Sequence, residues 1–192
     1  HPKLHTLNDF LVNGKTRAEL EEMKDNIYGS RIFDLIGVEK DKSFLLAGPA
    51  GNGKTFSVKC LRGELEVLGK RLTLVEYEIG RHGTAYINRG SLKLQSFFDK
   101  GKKMLNLKGI DGVIYLFDEC DAVMGKRNSS HGHREDDKLL DTLMKNMQRI
   151  HDEDSEEFLV MTTNMKASLD IASVRSGRID RVVEFANPDI GA

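Results

Sequence analysis

A chain of 192 residues with 39% apolar and 31% charged side chains is long enough to bury one α/β core, and its composition gives no sign of disorder. Its 29 basic and 30 acidic residues nearly cancel, so nothing in the charge points to nucleic acid or an anionic membrane as a partner. No apolar run approaches the ~18 residues of a membrane span, no signal peptide opens the chain, and Cys60 and Cys120 lack metal-ligand spacing, so a cytoplasmic or nuclear protein with reduced, buried thiols is expected.

Residues 17–26 read as a helix and 31–36 as a short second one, with Leu20, Met23, Phe33 and Leu35 as core packing. An apolar run at 44–47 predicts the first strand. A helix follows from Lys54 to about Leu68, with Val58, Leu61, Leu65 and Leu68 on one face and Gly69 placed to end it. Gly63 within that helix is a weak point, about 1 kcal/mol worse than alanine. Strand signals recur at 72–78, 113–117, 158–162 and 182–185, all rich in β-branched or aromatic residues. Between them lie a helix over 91–105, with Leu94, Phe97 and Phe98 inward, and another from about Glu135 that buries Leu139, Leu140, Leu143, Met144 and Met147. The acidic run 152–157 is most simply a solvated loop before a buried strand. Strands alternating with helices imply a mostly parallel sheet covered on both faces, with ligands at the carboxyl ends of its strands.

The chemistry concentrates at those ends. Gly48-Pro49-Ala50-Gly51-Asn52-Gly53-Lys54-Thr55 satisfies the phosphate-loop pattern G-x-x-x-x-G-K-[ST] in full, after a strand and at the start of a helix. A triphosphate must be wrapped by backbone N–H groups at close range, and the glycines free the loop of side chains and of φ restrictions. Lys54 is expected to reach the β- and γ-phosphates and the Thr55 hydroxyl to bind Mg²⁺, with Phe56 counted in the same nucleotide-binding set. The strand at 113–117 runs into Asp118-Glu119, the Walker B arrangement. Asp118 is positioned to hold the Mg²⁺ shell, and Glu119 to polarise the water that attacks the γ-phosphate. The next strand ends in Thr162-Thr163-Asn164; an uncharged Asn there can sense the γ-phosphate or hold the attacking water, or it can simply form a turn. Arg175-Ser176-Gly177-Arg178-Ile179-Asp180-Arg181 carries three arginines, suited to a transferring phosphoryl group from a neighbouring subunit or, alternatively, to surface salt bridges.

Together these motifs resemble the AAA clade of AAA+ ATPases, and the large ATPase subdomain of the Cdc48 (valosin-containing protein) type looks closest. The similarity runs over about 18–189. Its landmarks are Ile36-Gly37-Val38, the phosphate loop, Asp118-Glu119-Cys120-Asp121-Ala122 with Gly125-Lys126-Arg127, Thr163-Asn164, and 176–181. The resemblance implies a three-layer α/β/α P-loop NTPase fold with a five-stranded parallel sheet of order 5-1-4-3-2. It makes the whole of 1–192 a large ATPase subdomain, with the small helical lid, which would begin near Asn187, absent from the chain. It implies that Asn164 is the first sensor and that Arg175 and Arg178 act in trans on a neighbour's nucleotide. Tyr86-Ile87 fall where the family carries an aromatic–hydrophobic pair that grips extended polypeptide in the central pore; the residues themselves allow an ordinary loop aromatic as well. Residues 128–134 correspond to the second pore loop, and His131 and His133 within it lack the further ligands that zinc needs. Two departures stand out. The family's upstream Gly-Gly pair, which helps seat adenine, is replaced by Asp9-Phe10-Leu11-Val12-Asn13-Gly14, and Glu135-Asp136-Asp137 stands where relatives have a Glu followed by basic residues.

The expected function is therefore Mg²⁺-dependent ATP hydrolysis that drives remodelling, unfolding or disassembly of protein substrates in a ring, expected to be hexameric. The alternative is a nucleotide-dependent assembly switch without threading. A small-molecule kinase fits less well because Glu119 and Asn164 suit water activation, and a GTPase lacks its Asn-Lys-x-Asp motif.

Overall fold

The computed structural model describes residues 4–78, 90–121, 134–164 and 179–186. Five strands, β1 (Ser43–Ala47), β2 (Leu72–Glu78), β3 (Gly112–Asp118), β4 (Glu157–Thr163) and β5 (Arg181–Glu184), pair in parallel in the order β2-β3-β4-β1-β5. This is the order implied by the resemblance. Strand side chains alternate between faces, and here both faces are apolar. Phe44, Leu46, Ile114, Leu116, Phe158 and Val160 pack on one side with α1 (Gly14–Ile36) and α2 (Lys54–Val67). Leu45, Val113, Tyr115, Phe117, Leu159 and Met161 pack on the other with α3 (Gly90–Leu105) and α4 (Arg134–Asp152). The result is a three-layer α/β/α domain.

The expected helices exist, with one merger. Residues 17–26 and 31–36 belong to a single helix that starts earlier, where the Asn13 side chain accepts the Thr16 N–H at 2.8 Å as a cap. Within the Tyr28-Gly29-Ser30 stretch the Ser30 hydroxyl lies 2.9 Å from the Ile27 carbonyl of the same helix and 2.7 Å from the Glu156 carboxylate, and its one proton can serve either, so the helix is also tied to the segment before β4. The inward face of α1 is Leu20, Met23, Ile27 and Ser30, and that spacing rotates Leu35 away from the sheet. Leu35 is 85% exposed, which corrects its expected place in the core; Phe33 is half-buried. Helix α2 ends as expected at Gly69, which takes φ 88° while the N–H groups of Gly69 and Lys70 bond the carbonyls of Glu66 and Leu65.

Gly63 is a requirement rather than a weakness. A Cβ there would sit 2.0 Å from the backbone oxygen of His5, so the glycine is what lets the N-terminal segment cross α2.

The acidic run 152–157 also differs from expectation. Asp152 ends α4, but Glu156 and Glu157 are inside the protein. Glu157 opens β4 with a fully buried side chain, held by Arg149 through two bonds of 2.8 and 3.0 Å, by the Tyr115 hydroxyl at 2.6 Å and by Ser155 at 2.8 Å. Burial pushes its carboxyl up, but the bonds from Arg149, Tyr115 and Ser155 outweigh it and leave the group below the usual carboxylate range. Glu156 faces the other helix layer, 2.7 Å from Lys70 and 3.5 Å from Lys40. Burial lowers the Lys70 ammonium and the Glu156 charge opposes it. A run of acids reads as solvated because unpaired charge is rarely buried; the partners here come from distant positions that the run does not reveal.

Arg149→Met should strand the Glu157 charge in the interior and cost about 3–5 kcal/mol in urea unfolding at neutral pH. The folded carboxyl titrates below the unfolded one, so the contribution is complete above about pH 4.3 and is lost as pH falls through the lower folded value. The gap between variant and wild type should therefore narrow in acid; a gap that persists unchanged would mean that packing, not charge, is what Arg149 supplies.

Candidate functional site

The parallel register brings the carboxyl ends of β1, β3 and β4 to one level. From β1 the chain turns at Gly48, whose N–H bonds the Thr163 carbonyl at 3.2 Å and where a Cβ would lie 2.2 Å from the backbone oxygen of Phe185. Only a glycine fits that crossing. Gly51 and Gly53 take φ of 81° and 76°, and α2 starts at Lys54. The loop from Gly48 to Gly53 thus feeds directly into a helix N-terminus, where free N–H groups and the helix dipole favour an anion.

The polar side chains of the motifs meet here. Lys54 is buried, and its ammonium donates to the carbonyls of Gly48 at 2.7 Å and Pro49 at 2.8 Å and to the Asn164 side chain at 3.1 Å. Burial lowers its pKa, against the pull of Asp118, Asp121 and Glu119. The Thr55 hydroxyl donates to the Asp118 carboxylate at 3.0 and 3.1 Å. The expected phosphate, metal and sensor residues of three separate motifs therefore meet as two pairs, Lys54 with Asn164 and Thr55 with Asp118, joined through the Lys54–Thr55 peptide bond. Glu119 follows at once with φ 55°, an uncommon conformation for a residue with a side chain, and is exposed.

Other expected residues are placed less directly. The Asn52 side chain donates to the Ala186 carbonyl at 3.1 Å. The Phe56 ring lies edge-on to His5 and Phe10, with centroids 5.3 and 5.8 Å away. Of the arginine run, Arg181 is tied within its own chain, 2.8 Å from Asp41 and bonded to Glu22, which is the salt-bridge alternative for that residue. Its neighbour Asp180 accepts bonds from the backbone of Lys42 and Ser43 and fixes the start of β1. Arg175, Arg178, Tyr86, Ile87, His131 and His133 lie outside the described residues.

Two residues at the site had no signal of their own in the sequence reading. Phe10 lies against Gly53, with its ring 2.4 Å from where a Cβ would be, in the segment that replaces the expected Gly-Gly pair. Thr162 is buried between β1 and β3, and its hydroxyl bonds both Asp118 and the Glu119 N–H. A threonine in a strand is ordinary by propensity, and nothing in the local sequence marks Thr162 apart from its neighbours. Cys60 and Cys120 are free and buried; burial and the nearby Asp121 charge push the Cys120 thiol up to about 12. Among the described residues no helix is long and apolar enough to cross a membrane.

A model of the family described as ATPase family associated with various cellular activities (AAA) matches residues 44–187. The chain belongs to the AAA family. Similar proteins include ATP-dependent zinc metalloprotease FtsH 1 of Phytoplasma mali, 31% identical over 97% of this chain and 30% of that protein's length. Proteasome-activating nucleotidase 2 of Halobacterium salinarum is 29% identical over 93% of this chain and 41% of its own length. The chain thus spans less than half of these relatives. A solved chain of the E. coli MS115-1 HORMA:CdnC:Trip13 complex superposes with a TM-score of 0.72 at 18% identity, covering 90% of this AAA chain and 62% of that one, a likeness of fold. The core of the family match, from β1 through β5, is the sheet and the phosphate loop described above.

Lys54→Ala should remove the charge aimed into the loop and weaken ATP binding by about 10- to 100-fold, the worth of a charged hydrogen bond. Isothermal calorimetry checks it; an unchanged affinity would mean that the phosphates bind elsewhere.

Proposed function

We propose that this AAA chain is the nucleotide-hydrolysing core of a motor that acts on protein substrates. The observation that carries the reading is the pairing of Lys54 with Asn164 and of the adjacent Thr55 with Asp118 at a helix N-terminus, because it joins a phosphate cradle to the carboxylate that ends β3. Backbone N–H groups of 48–53 would hold the phosphates, and Lys54 would trade its carbonyl partners for them. Asn164 would report on the γ-phosphate, and Glu119 would accept the proton of the attacking water. The Thr55 hydroxyl and the Asp118 carboxylate, both hard oxygen donors within 3.1 Å of each other, suit a small divalent cation such as Mg²⁺. When bound, such an ion supplies charge neutralisation at the phosphates.

The finer parts of the reading rest on sequence landmarks. A placement beside the Cdc48 type follows from 36–38, 118–127 and 176–181. We propose further that 1–192 forms a large ATPase subdomain, that Arg175 and Arg178 act across a ring interface, hexameric by analogy, and that Tyr86 and Ile87 grip a polypeptide. The relatives that carry protease or proteasome functions in their names support a role on protein substrates. Buried reduced thiols suit a cytoplasmic or nuclear setting.

Glu119→Gln keeps the shape and loses the proton acceptor, so ATP should bind normally and remain uncleaved in single-turnover assays; cleavage at the wild-type rate would remove Glu119 from the role. Tyr86→Ala should leave ATPase activity within about twofold, as expected of a residue that grips polypeptide rather than nucleotide, while abolishing unfolding of a tagged substrate. Equal unfolding by both proteins would favour the assembly switch.

A further inference from the structure

Glu119 is, among the described residues, the non-glycine residue with positive φ, and such a conformation persists only where its surroundings over-determine it. Both amides at this point of the turn are held by one residue. The N–H of Glu119 donates to the Thr162 hydroxyl at 3.0 Å, and the N–H of Cys120 donates to the Thr162 carbonyl at 2.8 Å. The same hydroxyl donates its single proton to Asp118. A hydroxyl has one proton and two lone pairs, and here it serves both acids at once: the carboxylate of Asp118 and the backbone of Glu119. Thr162 is 1% exposed, so its own side of both bonds is shielded from water.

We propose that Thr162 is a positioning residue for hydrolysis, which locks the left-handed turn at Glu119 and the Asp118 carboxylate into one unit so that the two acids hold a fixed relation at the phosphate loop. The inference rests on Glu119 as the water-activating acid. It goes further in assigning the geometry of that acid to a side chain on the next strand. A valine has nearly the same shape but neither donates nor accepts, and it leaves the Cys120 bond to the backbone in place. The hydroxyl is thus separable from the strand.

The first measurement needs no nucleotide. Amide hydrogen exchange by NMR on the full chain should show the Glu119 N–H exchanging at least about tenfold faster in Thr162→Val than in wild type, and protected again in Thr162→Ser. Should the valine not be accepted by the strand, Thr162→Ala removes the same hydroxyl with less bulk. The second measurement is steady-state ATPase activity. Thr162→Val should lower kcat by about tenfold or more with KM within about twofold, and Thr162→Ser should recover most of it, since only a group positioned for the chemical step splits the two constants in this way. Combining Thr162→Val with Glu119→Gln should cost nothing beyond Glu119→Gln alone. A Glu119 amide equally protected without the hydroxyl, a loss that serine does not restore, or a further loss in the double variant would each overturn the proposal. If Glu119→Gln itself hydrolyses ATP, the role of Glu119 falls, while the exchange data still decide whether Thr162 holds the turn.

Discussion

Parallel pairing of β1 with β4 and of β4 with β3 is the constraint on which the rest depends. In a parallel sheet all strands point the same way, so the polar residues that end them emerge on one rim and the residues that begin them on the other. The phosphate loop, the acidic pair and Asn164 come from distant parts of the chain, and no local preference could assemble them. The register Ala47 to Thr163 and Phe117 to Met161 does so. Side chains that bury both faces of the sheet fix that register, because a slip by one residue would exchange the two apolar faces for each other's packing.

The two rims are built from different chemistry. At the phosphate-loop rim, polar groups bond one another in a network of neutral and charged partners that a nucleotide could displace. At the opposite rim, Glu157 is held by Arg149, Tyr115 and Ser155, Glu156 is paired with Lys70 and Lys40, and Asp180 fastens the start of β1. Pairs of this kind add little net stability but become costly when broken, so they favour a single arrangement of strands and helices over near alternatives. The exchangeable chemistry thus lies at one rim of the sheet and the fixed ion pairs at the other.

Much of this was legible in the sequence because the decisive signals are local. A glycine-rich loop between strand and helix, an apolar strand closed by two acids, and helical spacing at Leu94, Phe97 and Phe98 each declare themselves within about ten residues. The order of the strands came from family resemblance, since spacing alone does not specify it. What escaped notice depends on distant partners. Gly63 reads as a flaw because the His5 backbone that crosses it is remote in sequence, and the acids at 156 and 157 read as solvated because their cations lie at 40, 70 and 149. Leu35 reads as core because it is apolar, although the face set by Leu20, Met23 and Ile27 leaves it outside. Thr162 is the same case at the site: its part is set by which strand stands next to it.

Helix α2 connects the two rims in a way that its separate ends do not suggest. Its first residue is Lys54, at the phosphate loop, and the chain leaves its glycine stop directly into Lys70, which is bonded to Glu156, Ser30 and the Ile27 carbonyl. Fourteen helical residues at about 1.5 Å each make a strut of roughly 21 Å, pinned by a lysine at either end. One residue more or fewer would turn one end by about 100° relative to the other, so both lysines could not keep their partners. The length of α2 therefore acts as a gauge: the number of residues between the two lysines is set by the partners at both ends.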